Sequence, residues 1–356
     1  MRSRRGVPAV WLRASLLGVT ACVAILGAGC SAGTTTPSGS PSTPADPSAS
    51  VETGAPISAS GTPTTPLANQ VRTATKVIKP GVPEVAFGSV WFKTAPGDLV
   101  RLDPSTGKVE QTFPTDVPAA SGCEGIGSTD TAIWVCRRPG TYVRLTPQGR
   151  TRTASFAGHP DQLRIPVMDD QLWLIGEDRT TLHSLDATSG KEIGAPIALP
   201  ATSCDNVAAG LNAVWVACHD LGLVRVDPVS RDVTGTVPWP GGRYVAVDQH
   251  LLIGGDQGVA EVDPNTLGVR ATYDLKPDYF GDLTTSGDHA WVGTSGTAPL
   301  TRLDLDTRTV GAVLTTDNPF EFVGVTLQGD VLWVSDIGDN AGRYRVLSVE
   351  STTPRP

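Results

Sequence analysis

Apolar residues between positions 84 and 349 fall in short runs broken by Gly, Pro, Asp and Asn, and the runs recur in a unit of roughly forty residues. The unit is marked by an apolar residue followed by Trp, in Val90-Trp91, Ile133-Trp134, Leu172-Trp173, Val214-Trp215, Ala290-Trp291 and Leu332-Trp333; Leu251-Leu252 stands in that place once. Within the stretch Asp205 to Pro238 the pattern predicts four strands, at 207–209, 213–217, 223–226 and 233–237. They are joined by a Leu211-Asn212 turn, a loop from His219 to Gly222 and a turn from Asp227 to Arg231. Four strands joined this tightly make an antiparallel meander, the blade of a β-propeller.

Seven such blades are predicted, starting near Glu84, Cys123, Gln162, Cys204, Tyr244, Phe280 and Phe320, so the chain reads as all-β. The seventh ends after its third strand. Its missing strand is supplied by Val71 to Lys79 (VRTATKVIK), which alternates and has no blade of its own, closing the ring with strands from both ends of the domain and leaving no free closing edge. The turn between third and fourth strands recurs as Asp103-Pro104-Ser105-Thr106-Gly107, Asp186-Ala187-Thr188-Ser189-Gly190, Asp227-Pro228, Asp263-Pro264-Asn265 and Asp304-Leu305-Asp306. Asp there accepts backbone N–H bonds, Pro presets φ and Gly takes positive φ, so these carboxylates read as turn formers rather than as a metal series. The tryptophans likewise read as wedges between blades, and the fifth blade, with Leu252, as the loosest.

The segment before the repeats has different chemistry. Residues 1–29 carry Arg2, Arg4, Arg5 and Arg13, no acid, and an apolar run from Ala14 to Gly29, which reads as an export signal. Leu26-Gly27-Ala28-Gly29-Cys30 resembles a bacterial lipoprotein signal, which implies lipidation of Cys30 and a position at the cell membrane facing away from the cytoplasm; Val19-Thr20-Ala21-Cys22 is the rival box. Residues 30–69, almost wholly Ser, Thr, Pro, Gly and Ala, are expected to be a disordered tether, 70–350 the propeller, and 351–356 a disordered tail. The formal charge is −8, and loss of the signal's four arginines takes it to −12, which repels phosphate backbones and argues against nucleic acid as a partner.

Six cysteines are present, and apart from Cys22 and Cys30 they bracket two hairpins. Cys123 precedes Trp134 by eleven residues and Cys136 follows it by two; Cys204 precedes Trp215 by eleven and Cys218 follows it by three. Each pair sits where two antiparallel strands face each other, so disulfides Cys123 to Cys136 and Cys204 to Cys218 are expected, each contributing about 2–3 kcal/mol. No CxxC or HxxxH spacing suggests a zinc site.

Written out, Asp205 to Val237 (DNVAAGLNAVWVACHDLGLVRVDPVSRDVTGTV) and Pro83 to Phe113 (PEVAFGSVWFKTAPGDLVRLDPSTGKVEQTF) resemble the repeats of bacterial YVTN-type β-propellers and of the virginiamycin B lyase-like propeller group. The resemblance covers about Val71 to Val349 and implies the propeller fold, but little about activity. The lyase group's chemistry implies a magnesium ion with His and Glu near the axis. His159, His183, His219, His250 and His289 show no pairing with Glu at a shared spacing, so no catalytic residue is carried over.

Propellers bind ligands at a mouth of the central channel, and the starts of the innermost strands supply Glu84, Glu124, Asp161, Asp205, Asn206, Arg243, Tyr244, Asp282 and Glu321. This acidic set suits a cationic or amphipathic ligand, or a divalent cation; no other cofactor and no dedicated metal site is expected. No GxSxG, HExxH or phosphate loop is present. The reading is a monomeric, non-catalytic, lipid-anchored propeller that binds a protein, peptide or cell-wall ligand. The alternative is a metal-dependent lyase or hydrolase of the virginiamycin B lyase-like type, with His219 and Asp205 flanking one hairpin.

Overall fold

The structure is a computed structural model that describes residues 55–77, 80–94, 97–114, 125–138, 140–149, 151–158, 162–275, 280–321, 323–336 and 345–350. Strand pairing gives seven separate sheets, each an antiparallel meander, arranged as a seven-bladed β-propeller. Blade 1 contains Glu84–Ala86, Ser89–Lys93, Leu99–Leu102 and Val109–Phe113; blade 2, Ile126–Ser128, Ile133–Arg138, Thr141–Leu145 and Thr151–Ser155; blade 3, Val167–Met168, Gln171–Ile175, Thr181–Asp186 and Ile197–Ala198. Blade 4 contains Cys204–Gly210, Ala213–Cys218, Gly222–Val226 and Val233–Pro238; blade 5, Gly242–Val247, Leu251–Gly255, Gly258–Val262 and Val269–Asp274; blade 6, Phe280–Ser286, His289–Thr294, Leu300–Asp304 and Thr309–Thr315. Blade 7 contains Val323–Gln328, Val331–Asp336, Arg345–Glu350 and, as its outermost strand, Val71–Lys76. First strands of neighbouring blades touch around the axis, in blades 1 and 2, 3 and 4, 4 and 5, 5 and 6, 6 and 7, and 7 and 1.

The closing strand behaves as the sequence predicts. Val71–Lys76 pairs antiparallel with Arg345–Glu350, and its residues alternate between half-buried and exposed, as VRTATK requires of a strand with one face on the sheet. Arg72 and Glu350 add an ion pair of 2.9 Å across the seam, and the hydroxyls of Thr73 and Ser348 lie 2.7 Å apart.

The stretch expected to be tether departs from expectation over its last part. Ile57–Ser58 pairs in parallel with Val269–Asp274 as a fifth strand of blade 5, and Thr64–Pro66 pairs in parallel with Thr309–Thr315 as a fifth strand of blade 6. A single 3₁₀ turn, Leu67–Asn69, then buries Leu67 among Trp291, Leu300 and Phe320. Edge pairs of two or three residues need backbone groups and little else, so a Ser/Thr/Pro-rich composition does not exclude them, and the apolar anchors are only Ile57 and Leu67. Residues 1–29 and Cys30, with the assigned signal and lipidation site, lie outside the described residues, as do 351–356.

The six repeat tryptophans, Trp91, Trp134, Trp173, Trp215, Trp291 and Trp333, are all 0% exposed. Removing an indole from water contributes several kcal/mol, which makes them the packing wedges of the ring. The register adds a rule that the sequence reading missed: the residue directly across from the tryptophan on the third strand is Arg in blades 1, 2, 4 and 6, namely Arg101, Arg144, Arg225 and Arg302. Arg101 lies over the Trp91 ring at 5.5 Å and Arg225 over Trp215 at 5.7 Å, close enough for cation–π attraction. In blade 3 the facing residue is Ser184, and the cation comes from the next blade: Arg231 lies 5.9 Å from the Trp173 ring and donates to Ser184 Oγ at 2.7 Å.

Blade 5 is not loose. Leu252 is fully buried in one cluster with Tyr273, and the strands Leu251–Gly255 and Gly258–Val262 are buried at every position. Across from Leu252 stands Glu261 instead of Arg; its carboxylate is buried and lies 3.1 Å from His250 Nδ1, 3.8 Å from Arg270 and 3.9 Å from Arg308. Asp103, Asp186, Asp227 and Asp263 cap the outer turns as the sequence indicates, whereas Asp304 pairs instead with Arg302 at 2.7 Å. Asp227 accepts from the N–H groups of Val229 and Ser230, both at 2.8 Å, and the Thr266 N–H, Arg270 and the Asn265 N–H bring Asp263 down to about 2. The Cys204–Cys218 disulfide is present. Cys136 is disulfide-bonded, and Cys123 lies outside the described residues.

Two internal deletions from the full chain separate the roles of the N-terminal segments. Removing 71–76 abolishes the cooperative thermal transition, because blade 7 loses its outer strand. Removing 55–66 leaves the transition cooperative but lowers its midpoint by a few degrees, through loss of the two parallel edge pairs. Equal midpoints for the two deletions in calorimetry would contradict the assignment of ring closure to Val71–Lys76.

Candidate functional site

The axis is organised by Arg164, a residue the sequence reading did not single out. It precedes the innermost strand of blade 3, and its Nη2 donates to Asp282 Oδ2 of blade 6 at 2.8 Å and to the Val325 carbonyl of blade 7. Its Nη1 lies 3.8 Å from Glu84 Oε2 of blade 1. One guanidinium therefore spans the channel. Asp282, 3% exposed, is fully engaged: Oδ2 also accepts from the Val325 N–H at 3.0 Å, and Oδ1 from the Leu283 N–H at 2.8 Å.

The backbone that presents Arg164 is held from three sides. Gln162, almost fully buried, donates to the Arg164 carbonyl at 2.6 Å and to the Trp173 carbonyl at 3.1 Å, and accepts from the Ile175 N–H at 2.8 Å. Asn206 Oδ1 accepts from the Leu163 N–H at 3.2 Å, while its Nδ2 donates to the Arg243 carbonyl at 2.9 Å, tying blades 3, 4 and 5 together. The segment also pairs directly with blade 2, through Ile126 N–H to Leu163 O at 3.1 Å and Ile165 N–H to Ile126 O at 2.8 Å. That approach requires Gly127, since a Cβ there would sit 1.9 Å from the Ile165 carbonyl oxygen. It also shortens blade 3's own innermost strand to Val167–Met168.

Glu84 is the less satisfied carboxylate. It accepts one hydrogen bond, from Ser128 Oγ at 2.6 Å, and has only the 3.8 Å approach to Arg164. Burial pushes its carboxyl above the ordinary range, against the opposing effects of the Arg164 charge and the Ser128 hydroxyl.

Among the described residues, those expected at the channel mouth do not converge as a ligand ring. Glu84 and Asp282 meet through Arg164, as ion-pair partners rather than free acids. Asp205 is paired with Arg179 instead, and Asn206 is a structural bridge. Tyr244 is buried in the core, Arg243 is half-buried and Glu321 is exposed. Glu124 and Asp161 lie outside the described residues. His219 and Asp205 do not act together: His219 Nε2 lies 3.6 Å from Asp256. The other described histidines also have carboxylate neighbours away from the axis, His183 with Glu192, His250 with Glu261 and His289 with Asp288. Among the described residues no group of three or more His, Cys, Asp or Glu is placed to hold a metal.

Concave space lies instead along the channel and on the face formed by the turns between first and second strands. A cavity of about 250 Å³ follows the inner strands from Glu84 and Arg164 past Val207, Val245 and Leu283 to Ala209, Val247 and Thr285, beside those turns. A larger groove of about 670 Å³ lies between blades 1, 2 and 3, lined by Phe87, Thr129, Asp130, Thr131, Asp170 and Thr188, and shares Ser128 and Val167 with the channel cavity. The turns of blades 1 and 3 are left-handed: Phe87 and Gly88 have φ of 53° and 68°, and Asp169 and Asp170 have 51° and 57°, as type I′ hairpins require. Phe87 is held at the groove by an edge-on contact with Trp91, centroids 6.4 Å apart. Arg144 is bound to Thr131 Oγ1 at 2.8 Å, whereas the Asp130 and Asp170 carboxylates make no hydrogen bond or ion pair among the described residues.

No protein-family model and no curated protein sequence matches the chain. Solved structures do. A streptogramin B lyase superposes with a TM-score of 0.62 at 15% identity, over 78% of this chain and 97% of that one. The virginiamycin B lyase of Staphylococcus aureus gives 0.62 at 14% identity over 78% and 98%, and BamB from Moraxella catarrhalis gives 0.56 at 12% identity over 79% and 99%. These likenesses establish the β-propeller fold.

Two outcomes follow from the axial ion pairs. Arg164→Ala leaves Asp282 buried without its cation and costs about 3–5 kcal/mol by denaturant midpoint, whereas Arg164→Met combined with Asp282→Asn costs much less. For Glu84 the folded-state value is raised, so its favourable contribution is present at low pH and lost as pH rises through that value. Glu84→Gln should therefore gain stability relative to the parent chain between pH 4 and pH 7; a constant difference across that range would contradict the raised carboxyl.

Proposed function

We propose that this chain is a non-catalytic binding protein, lipid-anchored through Cys30 outside the cytoplasm, whose groove between blades 1, 2 and 3 receives a segment of a protein, peptide or cell-wall partner. The observation that carries the reading is the 670 Å³ groove itself, which combines the ring of Phe87, four hydroxyl-bearing side chains and two carboxylates with no partner among the described residues. Left-handed turns in blades 1 and 3 preorganise Phe87 and Asp170, which lowers the ordering cost of binding. The groove's charge favours a basic or hydroxyl-rich ligand. The position moves from the strand starts, where the sequence placed it, to the opposite ends of the inner strands, because Arg164 engages Glu84 and Asp282 at the starts.

Cross-linking on intact cells tests it. A photoreactive residue introduced at Thr188 should capture a discrete partner, and Phe87→Ala with Asp130→Asn and Asp170→Asn should reduce that capture by roughly tenfold or more while the melting midpoint stays within a few degrees. Undiminished capture by the triple variant would remove the groove from the reading.

A further inference from the structure

The outer edges of the blades differ in how they are closed. An outer strand turns alternate N–H and C=O groups to its free side and accepts a further strand unless something blocks it. The residue after the last inward-packed position decides the matter. It is Pro114 after Phe113 in blade 1 and Pro238 after Val237 in blade 4, and proline offers no N–H to an incoming strand. In blades 5 and 6 the corresponding residues, Asp274 and Thr315, are paired in parallel with Ser58 and Pro66. Blade 7 presents an exposed Lys76 there, and blade 3 has an outer strand of only two residues, Ile197–Ala198. Blade 2 has none of these devices among the described residues: Thr151–Ser155 is five residues long, with Ala154 packed inward and the other four exposed.

The free side of that strand has the geometry that blade 6 uses. The Phe156 N–H donates to the Gly140 carbonyl at 3.1 Å, which makes Thr141 and Ser155 a pair without mutual hydrogen bonds, so the N–H and C=O groups of Thr153 and Ser155 face away from the blade. On blade 6 the N–H equivalent to that of Thr153 belongs to Val313, and it reaches the Pro63 carbonyl of the N-terminal segment at 3.5 Å. A crevice of about 130 Å³ beside Thr151 and Thr153, shared with Phe113, Pro114 and Arg137, leaves room for one side chain of an added strand. The edge also adjoins the groove, because Arg152 donates at 3.4 Å to the carbonyl of Thr188, a residue of the groove lining. We propose that the outer edge of blade 2 is a docking edge for a polypeptide: an extended segment of the partner protein adds to Thr151–Ser155 as a parallel fifth strand and continues into the groove. The proposal rests on the binding reading above and narrows its partner to a protein, since a glycan has no regular series of N–H and C=O groups to complete the ladder.

The test uses the full chain and a defined probe, the peptide acetyl-Gly-Thr-Pro-Thr-Thr-Pro-Leu-amide, which copies residues 61–67 and therefore the strand that blade 6 accepts. Hydrogen–deuterium exchange over 151–155 should slow as the peptide is raised to millimolar concentration. Ser155→Pro, which copies blades 1 and 4, should raise the concentration needed by roughly tenfold, as loss of one hydrogen bond predicts, with the melting midpoint within a few degrees of the parent chain. The same peptide N-methylated at the threonine that copies Thr65 should not protect the unaltered chain, a measurement that needs no variant to fold. No protection by the unmodified peptide, or equal protection by the N-methylated one, overturns the docking edge. Capture at Thr188 on intact cells separates this proposal from the groove. Capture lost in Ser155→Pro but undiminished in the groove triple variant keeps the edge and discards the groove. The reverse result, an adduct that proteases do not degrade, or an adduct made of this chain alone discards the edge as the partner's site.

Discussion

The structure depends on the seam between Val71–Lys76 and Arg345–Glu350. Every other blade is a local hairpin meander that forms from contiguous residues, whereas this pairing joins positions about 275 residues apart and turns an open arc into a ring. Without it blade 7 would have three strands and an open edge, and the wedges that rely on both neighbours would be stripped on one side. The segments just before it extend the same logic outward, as Ile57–Ser58 and Thr64–Pro66 cover the edges of blades 5 and 6 before the chain reaches the seam.

Within the ring, packing and charge are handled by one repeated device, a buried indole facing an arginine across the second and third strands. The exceptions show that geometry matters more than residue identity. Blade 3 borrows its cation from Arg231 of blade 4, blade 7 sets Ser348 across from Trp333, and blade 5 replaces indole and arginine with Leu252 and a carboxylate served by His250, Arg270 and Arg308. Burial at this position is kept in every case, while the polar complement is rearranged among neighbours.

Much of the fold was legible because it is local. Strand alternation, most of the Asp-led turns, the Cys204–Cys218 hairpin and the alternation in VRTATK each act over a few residues, and these carried through to the structure. The candidate site was less legible, for the opposite reason. Glu84 and Asp282 were picked out as strand starts, but the residue that joins them, Arg164, acts over 118 residues to Asp282 and 161 to Val325, and no spacing announces such a contact. A signal did exist at Gln162-Leu163-Arg164-Ile165-Pro166, where the blade-3 repeat departs from the small apolar run seen as Val207-Ala208-Ala209. The edge strands at 57–58 and 64–66 were missed because two or three backbone pairs leave no hydrophobic pattern to read.

Arg164 also ties together blades that are not neighbours. Chain order already fixes the order of the blades, because connections as short as the one from Pro238 to Gly242 hold each meander beside the next. Those connections act only between adjacent blades, whereas the guanidinium links blade 3 to blades 1, 6 and 7 through Glu84, Asp282 and the Val325 carbonyl. Losing it would leave Asp282 buried without a cation, at a cost of several kcal/mol. The side chain thus works as a spoke, joining blades that do not adjoin along the rim.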